Sequence, residues 1–189
     1  MDSMGKAVDE SRFWTLIEAG FEKYPAEGVA PMTALLAQLS RSEAVSFQRS
    51  LHDALSRAYR WDLMAAACFA GCGHFSCGFL DFRAWLIAQG QATFHRVLAD
   101  VRTLAELPFE RSPPDEWILP HLPDLVFRAG HESLDQEPGL ADRADPSEPF
   151  GDRIELTKKS VCERYPELVA HFGTQFMFGM QKAGECEGY

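Results

Sequence analysis

A chain of 189 residues with 46% apolar and 24% charged side chains has ordinary globular usage and is long enough to bury a core without disulfide or metal staples. Its net charge of −10 argues against nucleic-acid phosphates or an anionic membrane as the main partner, and leaves a basic protein surface or a cationic ligand open. The five cysteines are not a secreted disulfide framework. The opening residues lack the apolar core of a signal peptide, and the longest apolar run, Leu63 to Cys72, is about half a membrane span. A reducing cytoplasm is the expected location.

Asp9 or Ser11 caps a first helix that carries Phe13, Leu16, Ile17, Phe21 and Tyr24 at spacings of three and four, and Pro25 and Gly28 end it. Met32, Leu35, Leu36 and Leu39 predict a second, short helix with Pro31 in its first turn. Ser40 and Glu43 then stand three apart as a capping box, opening a helix whose apolar side is Phe47, Leu51, Leu55 and Tyr59. From Trp61 the small residues of 62–70 predict a helix that lets its neighbours approach closely.

Gly71, Gly73 and Gly78 bracket a turn into the stretch around which the fold is expected to be built, a helix over about 79–89. Phe79, Phe82 and Leu86 occupy one side of it, Leu80, Ala84 and Ile87 another, with Trp85 between them. A helix apolar nearly all round must be enclosed by others. Gly90 stands where a helix-ending glycine belongs. After it, Phe94, Val97, Leu98, Val101 and Leu104 continue a helical period to about Leu107.

Eight of the eleven prolines lie between Pro108 and Pro149, which excludes a long helix there and allows one short helix between Pro123 and Leu134. From Glu132 to Glu155 the acids face only Arg143 and Arg153, as in a solvated, mobile connection or, alternatively, a recognition strap. Val161, Tyr165, Leu168, Val169 and Phe172 resume helical spacing around Pro166 and predict an element docking back on the core. The expected architecture is all-α: a helical core over 9–107, a Pro-rich acidic connection over 108–156, and a C-terminal helical element of the same domain over 157–178.

Phe13-Trp14 with Ile17, then 59–63 (Tyr-Arg-Trp-Asp-Leu), the glycine turn, and 79–90 resemble the uncharacterised bacterial domain family DUF4240. The likeness covers roughly Ser11 to Leu107, and its most specific part is the Phe-Arg-x-Trp-Leu-Ile-x-x-Gly run of 82–90. The resemblance implies a mainly helical cytoplasmic domain and brings no activity with it. Where the family usually has a Ser-Asp-Asp-like triplet before this helix, the chain has Phe75-Ser76-Cys77, so no carboxylate site is expected at that turn.

Cys68, Cys72, His74 and Cys77 could offer four zinc ligands. Structural zinc sites, however, usually join two ligand pairs through a dozen or more residues, and here a single residue separates the pairs. Packing as small apolar residues explains these cysteines better, and no metal or cofactor is expected. Residues 74–78 miss a nucleophile elbow because His74 stands where glycine is needed, and Ser76 reads instead as the N-cap of the central helix. His131-Glu132 lacks the second histidine of a zinc-protease motif. Trp14, Trp61, Trp85 and Trp117 read as core or helix-contact residues.

Arg83 stands apart, because a guanidinium on an apolar helix demands an acceptor. Asp81 lies ~200° away on the same helix and cannot serve. The structural reading, which we carry forward, pairs Arg83 with Asp62. The functional reading makes Arg83, with His74 and Ser76, an anion site at the glycine turn. At the level of the whole protein, the absence of a complete catalytic set and the acidic balance favour a non-catalytic module binding a protein partner, of immunity or regulatory type. An enzyme or small-ligand protein using the turn is the alternative.

Overall fold

The computed structural model describes residues 9–22, 29–70, 76–107, 121–130, 133–138, 140 and 145–174. Asp9 is extended and accepts the amide of Arg12 at 2.8 Å, so it caps α1 (Glu10–Phe21). Pro31 lies in the first turn of α2 (Ala30–Leu36). Ser40 and Glu43 form the expected capping box at the head of α3 (Arg41–Arg57). Glu43 accepts the Ser40 hydroxyl at 2.7 Å and its amide at 2.9 Å, and Arg12 reaches it from α1 at 2.6 Å. The hydrogen bonds from Ser40 hold the Glu43 carboxyl below its usual range, with Arg12 helping. This box therefore ties α1 to α3 as well as closing a helix end.

The alanine-rich helix α4 (Trp61–Ala67) runs into a 3-10 turn at Cys68–Ala70, and α5 (Ser76–Ala88) follows. Phe79, Phe82, Ala84, Trp85, Leu86 and Ile87 of α5 are all buried, and α1, α3, α4 and α6 (Gln91–Ala99) pack around it. The predicted central helix is thus enclosed. It ends at Gly90, whose φ of +86° belongs to the left-handed region that glycine enters without cost.

The long helix expected to reach Leu107 breaks at Asp100. That residue turns extended (φ −151°, ψ 106°) and caps a 3-10 segment, Val101–Glu106, by accepting the Arg102 amide at 3.0 Å. The short helix expected near Pro123 is α7 (Leu122–Arg128). The C-terminal element is two helices, α8 (Lys158–Arg164) and α9 (Pro166–Phe172). Pro166 cannot continue a helix from within but is well suited to start one. Val161, Tyr165 and Leu168 bury themselves in the main core, and α9 packs on the 3-10 segments Cys68–Ala70 and Val101–Glu106. Among the described residues the fold is all-α, with one isolated bridge between Arg60 and Phe150 in place of any strand.

Where it is described, the acidic connection departs from the expected mobile linker. Leu134 and Leu140 pack with Ala44 and Val45 in a small second core, and Glu137 pairs with Arg41 at 2.8 Å. Further on, the Phe150 amide donates to Tyr59 O at 2.8 Å and the Trp61 amide donates to Phe150 O at 3.1 Å. Ile154 is buried in the main core. Residues 145–154 form a strap fastened across the junction of α3 and α4.

Candidate functional site

Arg83 is buried, with 2% of its surface exposed, and its partner is Asp145 rather than Asp62. Nη1 donates to Asp145 Oδ1 at 2.9 Å and to Leu55 O at 3.0 Å, and Nη2 donates to Asp145 Oδ2 at 2.5 Å. The Tyr59 and Phe79 rings flank the guanidinium at 4.9 and 5.1 Å. A planar fork meeting a carboxylate bidentately beside aromatic faces is the environment arginine satisfies and lysine does not.

Asp62 is taken by its neighbour. It accepts from Arg60 Nε at 3.0 Å and from the Leu63 amide at 2.7 Å. Arg60 is extended (φ −134°, ψ 146°), so residues two apart fall on the same side and pair locally. Arg83 meanwhile points toward the end of α3. Nothing near it in sequence marks Asp145 as its acceptor. Eight acids lie between 132 and 155, and the prolines remove the periodicity that would place any one of them.

The rest of the predicted anion site cannot be assembled from the described residues. His74 and Cys72 lie outside them. Ser76 opens α5 as its first helical residue, one place beyond a cap, and the side chains at 76 and 77 are likewise outside the described set. Cys68 is buried, its thiol donating to Met64 O at 3.3 Å as a small core residue. His131, Glu132 and Trp117 are outside the described residues, while Trp14 and Trp85 are buried.

Two other features carry polar groups that sequence reasoning did not single out. The first is a groove of about 760 Å³ between α3, α6 and the strap, walled by Asp53, Arg57, Arg60, His95 and Phe150. A smaller pocket of about 230 Å³ adjoins it between α1 and α3, sharing Asp53 and Arg57. Asp53 and Arg57 stand four apart on α3, so helical spacing alone marks them as one face. The approach of His95 depends on how α6 packs and leaves no such mark.

The second feature is the outer surface of the strap. Phe150 is 54% exposed although hydrogen bonds hold its backbone on both sides. Glu148, Asp152 and Glu155 are exposed around it, and Arg153 stacks over Trp61 at 5.6 Å.

The family described as "Protein of unknown function (DUF4240)" matches residues 8–132. No curated protein and no solved structure matches the chain.

Proposed function

Starting from a chain that belongs to the DUF4240 family, whose description assigns no function, we propose that this protein is a non-catalytic binding module for a protein partner. Its acidic strap is the contact face. The observation that carries this reading is Phe150, a large apolar side chain left in water on a backbone that is already fixed. Binding energy concentrates in a few buried aromatic anchors ringed by weaker polar contacts. An anchor whose main chain needs no further ordering loses less entropy on association. Glu148, Asp152 and Glu155 around it would steer a basic partner surface and repel an acidic one.

The net charge of −10 fits a basic protein partner better than nucleic acid or an anionic membrane. An immunity or regulatory protein in a bacterial cytoplasm, covering a partner's basic surface, is the kind of module this describes. The competing enzyme or small-ligand reading at the glycine turn is weakened because the Nη donors of Arg83 are committed to Asp145 and Leu55.

A photoreactive amino acid placed at position 150 should crosslink a partner in the source cell. Titration of that purified partner should give about tenfold or greater weakening for Phe150→Ser and for the Asp152→Lys/Glu155→Lys double variant. Unchanged affinity in both would remove the strap as the contact face.

A further inference from the structure

Past Phe150 the strap runs through Gly151, whose φ of +87° turns the chain. Arg153 and Glu155 are then exposed, Ile154 is buried and Leu156 is partly so. That alternation is the period of a strand with one face on the core, and Thr157 after it is still extended (φ −97°, ψ 150°). Yet this strand has no neighbour. Among the described residues, no group hydrogen-bonds to the backbone of residues 152–156. A hollow of about 550 Å³ opens beside them, lined by Trp61 and residues 153–156. Exposed, unpaired amides and carbonyls in a row are a template on which a further extended segment can add.

The charges on its outer face select what fits. Residues directly opposite on neighbouring strands stand about 5 Å apart at Cβ, where opposite charges attract and like charges repel. Pairing two copies in parallel register sets Arg153 on Arg153 and Glu155 on Glu155. Antiparallel pairing centred on either of those residues also sets it against itself. Antiparallel pairing centred on Ile154 instead sets each Arg153 opposite the Glu155 of the other copy, and a two-fold axis makes both contacts at once. The segment therefore carries its own complement. Arg153 gives up little to make this contact. Its pair with Glu148 spans 3.9 Å with both side chains largely exposed, and stacking on Trp61 leaves its own side chain 74% exposed.

We propose that residues 152–156 are a self-association strand, pairing antiparallel about Ile154 with the same segment of a second copy of this chain. So short a ribbon buries less than the roughly 1,600 Å² of a standard stable interface, and the dimer is correspondingly weak, with a dissociation constant of about 0.1–1 mM. The contact proposed for Phe150 involves a different protein. Self-association is tested on the purified chain alone, so either proposal can fail without the other.

The full chain is followed by analytical ultracentrifugation from about 20 µM to about 2 mM, a range that spans the expected constant. Its apparent mass should rise toward that of a dimer, and exchange of the amide hydrogens of residues 152–156 should slow in step. Arg153→Glu and Glu155→Arg, each checked for folding by circular dichroism, make the outer face of the strand carry one sign. Each variant alone should associate at least about tenfold more weakly than the native chain. An equal mixture of the two should associate at least as well as the native chain, because every opposed pair is then of opposite sign. The charge-swapped double variant, Arg153→Glu with Glu155→Arg, should recover self-association. If either variant fails to fold, the concentration series and amide exchange of the native chain decide the matter. A monomer throughout the range, a dimer whose amides at 152–156 exchange as in the monomer, undiminished association of the folded single variants, or a mixture that stays monomeric would each overturn the proposal.

Discussion

Asp145, with 36% of its side chain exposed, and Arg83, with 2%, are unequal members of one ion pair, and removing them should have unequal consequences. Asp145→Asn leaves a permanently charged guanidinium buried, with only Leu55 O and two ring faces to replace the bidentate carboxylate. We expect it to cost about 1.5–3 kcal/mol, the range for hydrogen bonds made to a charged group. Arg83→Met fills much of the same volume with apolar atoms and strands only a carboxylate that water can reach, so it should cost less. Equilibrium denaturation of both single variants and the double variant should show that order and a coupling above about 0.5 kcal/mol. Equal losses with no coupling would mean that the pair is incidental to stability.

Asp81, on the same helix, behaves oppositely. It is partly buried, and loss of hydration pushes its carboxyl above the usual 3.8. The folded state therefore holds a proton that the unfolded chain has already released. Stability from this group is complete below 3.8 and is lost as pH rises through the folded value. Asp81→Asn should raise the melting temperature at pH 7 and leave it unchanged near pH 3. A loss at pH 7 would reveal a partner for the ionised carboxylate.

Among the elements, α1 and α2 are in tight contact where Gly20 faces Met32. A Cβ there would collide with Met32 Sδ and come within 3.0 Å of Met32 Cβ. The Sδ can swing aside, but the Cβ is fixed by its helix, so Gly20→Ala should push the two helices apart at a cost of about 1–3 kcal/mol. Met32→Ala in that background should recover little, because it leaves the Met32 Cβ in place. Recovery of full stability would place the clash in the thioether alone.

Helices bounded by local chemistry were legible in the sequence. Asp9, Pro31, the Ser40–Glu43 box and Gly90 each act on amides or dihedrals within a few residues, and each does so where expected. The apolar period of α5 likewise foretold its enclosure. The break at Asp100 was hidden because Val97, Val101 and Leu104 keep a helical spacing even though the chain between them turns extended. The acceptor of Arg83 was hidden for a different reason. Pairings that join α5 to a segment 62 residues away leave no periodic trace in either one. The groove around Arg57 was half visible for the same reason: its α3 face follows helical spacing, while His95 and Phe150 arrive by tertiary packing.

For the molecule as a whole, the segment that matches the family and the segment that completes the core do not coincide. The match ends at residue 132, yet Arg83 inside it takes its counter-charge from Asp145 outside it. Ile154, Val161, Tyr165 and Leu168 also lie beyond the matched span and are buried in the same core as Phe79 and Phe82. Burying a large apolar side chain contributes about 1.5–3 kcal/mol, so these four together supply an amount comparable to the roughly 5–15 kcal/mol that keeps a domain folded. A chain cut to residues 8–132 should therefore keep helical far-UV dichroism but lose its near-UV signal and bind a hydrophobic dye, as loosely packed states do. Adding residues 133–174 as a separate peptide should restore the near-UV signal, because Asp145, Ile154 and α8–α9 can dock without the covalent link. The same peptide carrying Asp145→Asn should restore it at a higher concentration, in proportion to the loss measured in the intact chain. If the 8–132 fragment instead unfolds cooperatively at the melting temperature of the full chain, the core is complete without the strap, and Arg83 must find another acceptor within the fragment.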